Sequence, residues 1–221
     1  MIRKIKVFFK RKFRDKFKKL ISKKDIELLS NKNFVIISNN CWGGALYRWY
    51  NRSYNSPFVG LFLYGPCYIK LLSNFDFYIK QELNFIEISS YKDRIKDYPV
   101  ALLGDVEIHF THYDSEEEAK EKWERRTARM LEEKNKDRYF FKICDRERVT
   151  KAHLIQFHNL PLKNKISFAI NDYEALKGKN HIKMFESHKN EKRTVPNGKK
   201  VFKLTFLYFN LNNWLLSGAE H

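Results

Sequence analysis

The chain is poor in cysteine, glycine and proline, and each shortage excludes a class of protein. Its three cysteines, Cys41, Cys67 and Cys144, are odd in number and show no C-x-x-C spacing. This argues against a disulfide framework or a cysteine-only metal site. Eight glycines and five prolines in 221 residues are too few for a low-complexity chain. Reduced thiols in a cytoplasmic protein are the simplest interpretation.

Long apolar runs and several familiar enzyme motifs are also missing. No run reaches the roughly 18 apolar residues of a membrane-spanning helix, and charges interrupt any signal-peptide core at the N-terminus. There is no P-loop, dinucleotide fingerprint, Gly-x-Ser-x-Gly elbow or zinc-ligand spacing. Which cofactor the protein uses, if any, is unknown from the sequence. Aromatic residues are plentiful, with 19 Phe and 12 Tyr, and indicate a packed core.

Positive charge is in excess, and most of that excess lies at one end. The net charge is +17, yet residues 1–24 hold 12 Lys or Arg and one Asp. The remaining chain holds 31 basic and 25 acidic residues, so the body is only mildly basic. A local excess argues against nucleic acid as the partner of the whole protein, although a basic arm on nucleic acid stays open.

The basic N-terminal segment has a helical period. Ile2, Ile5, Phe9, Phe13 and Phe17 fall three or four residues apart, with lysines and arginines between them. Residues 1–24 are therefore predicted to form a basic amphipathic helix suited to an anionic membrane surface. The alternatives are a packed structural helix with solvated lysines and a nucleic-acid-binding arm. The favoured interpretation is a cytoplasmic protein held peripherally at the inner face of the membrane.

Beyond this segment, short apolar runs alternate with helical patterns. Strands are expected at Asn33–Ser38, Phe58–Leu63, Pro99–Leu103, Val106–Tyr113, Arg138–Cys144 and Lys165–Ala169. A long helix is expected from a Ser115 cap to about Lys134, because Ser115 to Glu118 matches a capping box. This order predicts a single Rossmann-like α/β domain over residues 25–221, with a largely parallel sheet flanked by helices.

The candidate site begins where the first strand ends. Asn39, Asn40, Cys41, Trp42, Gly43 and Gly44 follow the apolar run directly. Ligands in open α/β sheets bind at the carboxyl ends of strands, so the two amides, the tryptophan and the two glycines are predicted to bind substrate. Cys41 is a candidate nucleophile with backbone amides as an oxyanion hole. The alternative is that Cys41 is structural, a small buried residue that lets the loop close.

The segment Gly104–Tyr113 adds acids and bases. His109 or His112 is a candidate base for Cys41, with Asp105 or Glu107 orienting the imidazole. Asp105 and His109 together also suggest a divalent cation, but two such ligands do not define a metal site, and none is predicted. Asp145 follows a later strand and is expected to join the same cleft.

Five strings together resemble an uncharacterised bacterial family linked to exopolysaccharide or capsule biosynthesis. They are Ile37–Gly44, Ser56-Pro57, Leu103–Tyr113, Glu117–Arg126 and Asn164-Lys165. The resemblance covers residues 33–210 and implies an α/β fold and a role in surface polysaccharide, without a defined reaction.

The sequence therefore favours a membrane-associated transferase acting on a sugar nucleotide or polysaccharide precursor, by acyl, glycosyl or phosphoryl transfer. The alternative is a non-catalytic carbohydrate-binding or assembly partner, with Trp42, Trp49 and Tyr50 as a sugar-stacking platform.

Overall fold

Runs of β-branched and aromatic residues build the central sheet, and amphipathic segments cover it. The computed structural model describes residues 2–91, 97–190 and 193–218. In chain order its elements are α1 (Ile2–Lys16), α2 (Lys18–Leu29), β1 (Val35–Ser38), α3 (Trp42–Trp49), α4 (Gly65–Ser73), α5 (Phe75–Tyr78), β2 (Leu83–Phe85), β3 (Val100–Leu103), β4 (Val106–His109), α6 (Glu116–Glu132), β5 (Tyr139–Cys144), α7 (Lys151–Asn159), β6 (Asn164–Ala169), β7 (His181–Lys183), α8 (Gly198–Tyr208) and α9 (Leu211–Ser217).

Four strands form a parallel sheet in the order β1-β5-β6-β7. Alternate residues of each strand point to opposite faces, as the pleat requires. Val35 and Ile37 join a core cluster with residues of α4, α6 and α7. Ile36 and Phe140 join a second cluster with residues of α3, α8 and α9. Helices thus cover both faces, and the predicted α/β fold with a largely parallel sheet is confirmed.

The strands predicted on either side of Gly104 form an antiparallel hairpin. Leu103 pairs with Val106, so Gly104 and Asp105 alone make the turn, and Gly104 has a φ of +62° that favours glycine. A third short strand, β2, completes a separate sheet ordered β2-β3-β4. Asp105 therefore lies at an exposed hairpin turn and not at the carboxyl edge of the parallel sheet.

The strand predicted at Phe58–Leu63 is wrong, because this segment is buried but irregular. Gly60 adopts a φ of +83°, which interrupts an extended conformation. The segment instead connects the two sheets: Phe62 exchanges backbone hydrogen bonds of 2.9 and 3.0 Å with His109, and the Leu63 amide donates to the Asn39 carbonyl at 3.0 Å. The strand predicted at Val106–Tyr113 ends early, at His109, and beyond it the His112 amide donates to the Gly60 carbonyl at 3.0 Å.

The basic N-terminal segment forms two helices, α1 and α2, which meet at Phe17. The side of α1 that faces the protein carries Val7, Lys10 and Arg14: Val7 packs on the second core cluster, and Lys10 donates to the Leu207 carbonyl at 3.4 Å. Phe9 and Phe13, on the opposite side, are 65% and 60% exposed. Within the described residues, no helix is both long and apolar enough to span a bilayer.

Candidate functional site

A buried lysine organises the turn after β1. Lys142, on the neighbouring strand β5, is completely buried, and its Nζ donates to Asn39 Oδ1 at 3.2 Å and to Asn40 Oδ1 at 3.0 Å. A buried ammonium group needs such acceptors, since burial without them is very costly. Asn40 also accepts from the Trp42 amide at 3.3 Å and donates to Cys144 Sγ at 3.1 Å. Both asparagines thus hold the turn together, and their predicted contact with substrate stays a prediction.

The two glycines let α3 pack closely on its neighbours. A Cβ at Gly43 would lie 3.2 Å from Ile36 Cγ2, and one at Gly44 would lie 3.0 Å from Val59 Cγ1. Trp42 is fully buried and donates from Nε1 to Thr205 at 3.0 Å. Trp42 and Tyr50 belong to the core, so of the suggested sugar-stacking platform only Trp49 reaches the surface.

A cavity of about 190 Å³ opens beside this turn, and we call it the cationic cavity. Its lining residues are Cys41, Gly44, Arg48, Tyr54, Val59, Gly60, His112, Tyr113, Lys122, Arg126 and Lys199. Three predicted residues, Cys41, Gly44 and His112, therefore line one cavity, although His112 comes from a distant segment. The lining includes Arg48, Lys122, Arg126 and Lys199, and no carboxylate of the described residues belongs to it, although Lys122 pairs with Glu118 nearby. This composition suits an anionic ligand.

Arg126 is the most unusual member of the cationic cavity. It is only 8% exposed, and its Nη1 donates to two neutral acceptors, the Val59 carbonyl at 3.2 Å and the Tyr113 hydroxyl at 2.7 Å. Its guanidinium lies 5.0 Å from the centre of the Tyr54 ring. Among the described residues it forms no ion pair. Buried charges are normally paired, so this arginine indicates a place for an anion.

The spacing of residues along α6 contains a signal for the burial of Arg126. Ala119, Trp123 and Met130 are the buried apolar residues of α6, and position 126 falls in the same helical register. Arg125 is exposed and pairs with Glu121 at 3.1 Å, one turn away. Arg125 therefore belongs to a solvated helix face, whereas Arg126 belongs to the buried face of α6.

The protonation of Cys41 and His112 differs from what a catalytic pair needs. Burial raises the pKa of the Cys41 thiol, and the charges of Lys199 and Lys142 only partly oppose this. Burial lowers the pKa of His112, and Lys199 and Arg48 lower it further. A neutral thiol is a poor nucleophile, whereas a neutral imidazole is ready to accept a proton. No hydrogen bond joins the two side chains in the described structure.

His109 lies in a different environment, which we call the histidine–glutamate network. His109 Nε2 is 2.8 Å from Glu107 Oε1, and both residues are almost completely buried. Glu107 also accepts from the Ser89 hydroxyl and, at 2.9 Å, from the Ser90 amide. The His109 ring stacks on Phe62 with centroids 4.5 Å apart. Of the two acids suggested to orient a histidine, Glu107 is the one placed to do so.

Asp105 and Asp145 also lie outside the cationic cavity. Asp105 is exposed and pairs with Lys70 and with the Tyr78 hydroxyl, and these partners lower its pKa. Asp145 is buried and accepts from the Ile170 and Val195 amides, each at 2.8 Å, although burial raises its pKa. Asp145 thus joins the chain after β6 to the segment before α8. The roles predicted for both residues in catalysis or binding stay predictions.

No cluster of three or more His, Cys, Asp or Glu side chains in the described ranges is arranged to hold a metal ion. Asp105 and His109, the pair first considered for a cation, point into the separate environments described above.

Comparison with known families identifies the family of this chain. Residues 12–215 match the model of DUF1919, a domain of unknown function. The chain belongs to the DUF1919 family. The DUF1919 match begins inside α1 and ends inside α9. It therefore includes both predicted histidines, Cys41 and every basic residue of the cationic cavity.

The DUF1919 chain also resembles an uncharacterized protein of Haemophilus influenzae. The two are 42% identical over 147 residues, and the match covers 66% of each chain. The chain thus spans about two thirds of that relative's length. Neither comparison names a reaction, so the link to surface polysaccharide belongs with the proposals that follow.

Proposed function

We propose that this protein is a membrane-associated transferase whose phosphate-bearing substrate, a sugar nucleotide or polysaccharide precursor, binds in the cationic cavity. Arg126 carries the proposal, because it is buried, bonded only to neutral oxygens and adjacent to open space. A phosphate would supply the missing counterion, and a guanidinium can bind it through two parallel hydrogen bonds. Arg48 and Lys199 would add charge at the mouth of the same cavity.

The arrangement supports glycosyl transfer from a nucleotide sugar best. The acceptor hydroxyl oxygen attacks the anomeric carbon, and the bond between that carbon and the phosphate oxygen breaks. His112, which its lowered pKa keeps neutral, takes the hydroxyl proton. The nucleoside diphosphate departs with the bonding electron pair, and Arg126 and Lys199 stabilise its charge. In this scheme Cys41 forms part of the wall.

Acyl transfer through Cys41 is the second candidate. It is favoured by one observation, that Cys41 and His112 line the same cavity. The scheme would require deprotonation of a thiol whose pKa is raised by burial. We therefore rank it below transfer from a phosphate-bearing donor.

The phosphate site can be tested by titrating the full-length protein with inorganic pyrophosphate and with nucleoside-diphosphate sugars in a calorimeter. Arg126→Met should weaken binding by about tenfold to a hundredfold, the usual range for a lost charge-assisted hydrogen bond. Arg125→Met is the matched control, since Arg125 is adjacent but exposed, and it should bind as the wild type does.

Arg126 also supports local structure, so a second variant is needed. Arg126→Lys keeps the charge but loses the planar fork, and we expect affinity between those of the wild type and Arg126→Met. Thermal unfolding of each variant would confirm that it is folded. The proposal fails if the wild-type protein binds neither pyrophosphate nor any nucleotide sugar saturably.

The outward side of α1 supports the membrane part of the proposal. Phe9 and Phe13 are more than half exposed, and lysines and arginines occupy most positions around them. Apolar rings surrounded by cations are the pattern of helices that lie in an anionic membrane interface. We assign this surface to the inner face of the cytoplasmic membrane and not to a protein partner.

Vesicle sedimentation tests this assignment. The full-length protein should bind phosphatidylcholine vesicles only when they contain phosphatidylglycerol, and added salt should weaken that binding. Replacing Phe9 and Phe13 together by serine should weaken it by about tenfold or more, because two rings no longer enter the interface. The Ile88→Ser control removes another highly exposed apolar side chain, 80% accessible, away from α1. Equal binding by both variants would contradict the assignment.

A further inference from the structure

A second, larger cavity opens beside the cationic cavity, between α1, α3 and α8. Its volume is about 690 Å³, a size typical of small-molecule sites. The apolar lining residues are Ala45, Trp49, Phe202, Phe206 and Leu207. We call this cavity the amphipathic groove, because basic residues surround its apolar lining.

Six basic residues line the amphipathic groove, namely Arg11, Arg14, Lys18, Arg48, Lys199 and Lys203. No acidic residue of the part of the chain that the structure describes belongs to this lining. Arg14 pairs with an acid outside it, since its Nη2 is 3.7 Å from Asp25 Oδ2. Its guanidinium also lies 4.0 Å from the centre of the Phe206 ring. The groove thus combines an apolar surface with a strongly positive border.

The amphipathic groove adjoins the cationic cavity. Arg48 and Lys199 line both spaces, so these two side chains form the border between them. On its far side the groove is bounded by α1, the helix whose outer face carries Phe9 and Phe13. A molecule entering from a membrane beneath α1 would meet the apolar groove first and the buried arginine of the cavity next.

We propose that the two spaces together bind a lipid phosphate, with the phosphate between Arg48, Lys199 and Arg126 and the start of the hydrocarbon chain in the amphipathic groove. This inference rests on the proposed function and identifies the phosphate-bearing substrate as a lipid-linked polysaccharide precursor, so the group that departs with the bonding electron pair is a lipid phosphate in place of a nucleoside diphosphate. A soluble nucleotide would use the cavity but leave the apolar lining empty. The tail of a lipid phosphate would bury that apolar lining, and its phosphate group would neutralise the surrounding positive charge.

Dodecyl phosphate, used below its micelle concentration, is a suitable probe for the full-length protein. Its affinity should exceed that of inorganic phosphate by about tenfold or more, because several methylene groups leave water. Dodecyl maltoside has the tail without the phosphate and should bind weakly. Trp49 reports on the groove, since Trp42, Trp123 and Trp214 are buried; its emission should shift to the blue as the tail enters.

Ala45→Leu tests the position of the tail. Ala45 is partly exposed on α3 and lines the groove, so a larger side chain there should reduce dodecyl phosphate affinity by about tenfold while leaving pyrophosphate binding unchanged. Ala152→Leu, at an exposed position of α7, is the control. Suppose that pyrophosphate binds, but the dodecyl chain adds no affinity or Ala45→Leu does not change dodecyl phosphate binding. The lipid inference is then overturned, while the proposed function stands. If pyrophosphate does not bind either, the proposed function fails with it.

Discussion

The cationic cavity and the histidine–glutamate network contain histidines only three positions apart, yet their surroundings are opposite. His109 is 2% exposed and lies beside a buried carboxylate. His112 is solvent-accessible and lies among basic residues. The strand ends at His109, and His112 lies beyond it in the same cavity as Cys41. The buried acid fixes the position of His109, whereas the cations around His112 lower its pKa and keep it neutral.

The largest expected effect is a loss of stability when the histidine–glutamate network is broken. Glu107→Ala removes the acceptor of Ser89 and Ser90 and the carboxylate beside His109. Leaving such groups buried without partners should lower the free energy of unfolding by about 3 kcal/mol, measurable by urea denaturation. Pyrophosphate affinity of the folded fraction should not change.

Asp105→Ala is the matched control for this prediction. It removes an acid two positions away, but an exposed one, so most of the stability should remain. Should Glu107→Ala instead abolish anion binding without loss of stability, the network would have to be counted as part of the site.

A smaller effect is expected from His112, which should make the affinity for an anion depend on pH. As the pH falls below the ordinary histidine pKa of about 6.5 and then through the lowered pKa of His112, its imidazole becomes a cation. Sulfate, whose charge stays constant over this range, should therefore bind a few-fold more tightly in acid. His112→Gln should remove the part of this gain in sulfate affinity that is due to His112. An identical pH profile in the variant would show that His112 does not face the bound anion.

The smallest effect is expected from Cys41. Cys41→Ala should leave pyrophosphate affinity and stability almost unchanged, and the wild-type thiol should react slowly with iodoacetamide because burial raises its pKa. Transferase activity should survive the substitution once a substrate is found. Loss of activity with intact anion binding would instead favour acyl transfer through the thiol.

Several elements could be predicted from local sequence because local interactions form them. The apolar run at Val35–Ser38 makes a buried strand, and Ser115 accepts from the Glu118 amide to begin α6 as expected. The hairpin around Gly104 was harder to foresee. Adjacent apolar strands look alike in sequence whether they pair with each other or with distant strands.

Only part of the candidate site could be predicted, because some of its residues become recognisable only through neighbours that are distant in the chain. Cys41 and His112 were found from motifs, and Arg126 falls in the buried register of α6, but Arg48 and Lys199 look like ordinary surface residues of helices. Buried Lys142 is the only charged residue of its strand. Its need for Asn39 and Asn40 shows only when β1 and β5 are side by side.

By itself, the sequence determined the α/β class, the order of most strands and helices, and a basic N-terminal segment with regularly spaced phenylalanines. These depend on periodicity and on local turns and caps, which short stretches of chain specify. Only the tertiary structure decided that His109 and His112 separate and that Arg126 is buried against neutral acceptors. It also decided that the cationic cavity and the amphipathic groove share Arg48 and Lys199. Burial and charge pairing depend on neighbours that are distant in the chain, and folding alone brings them together.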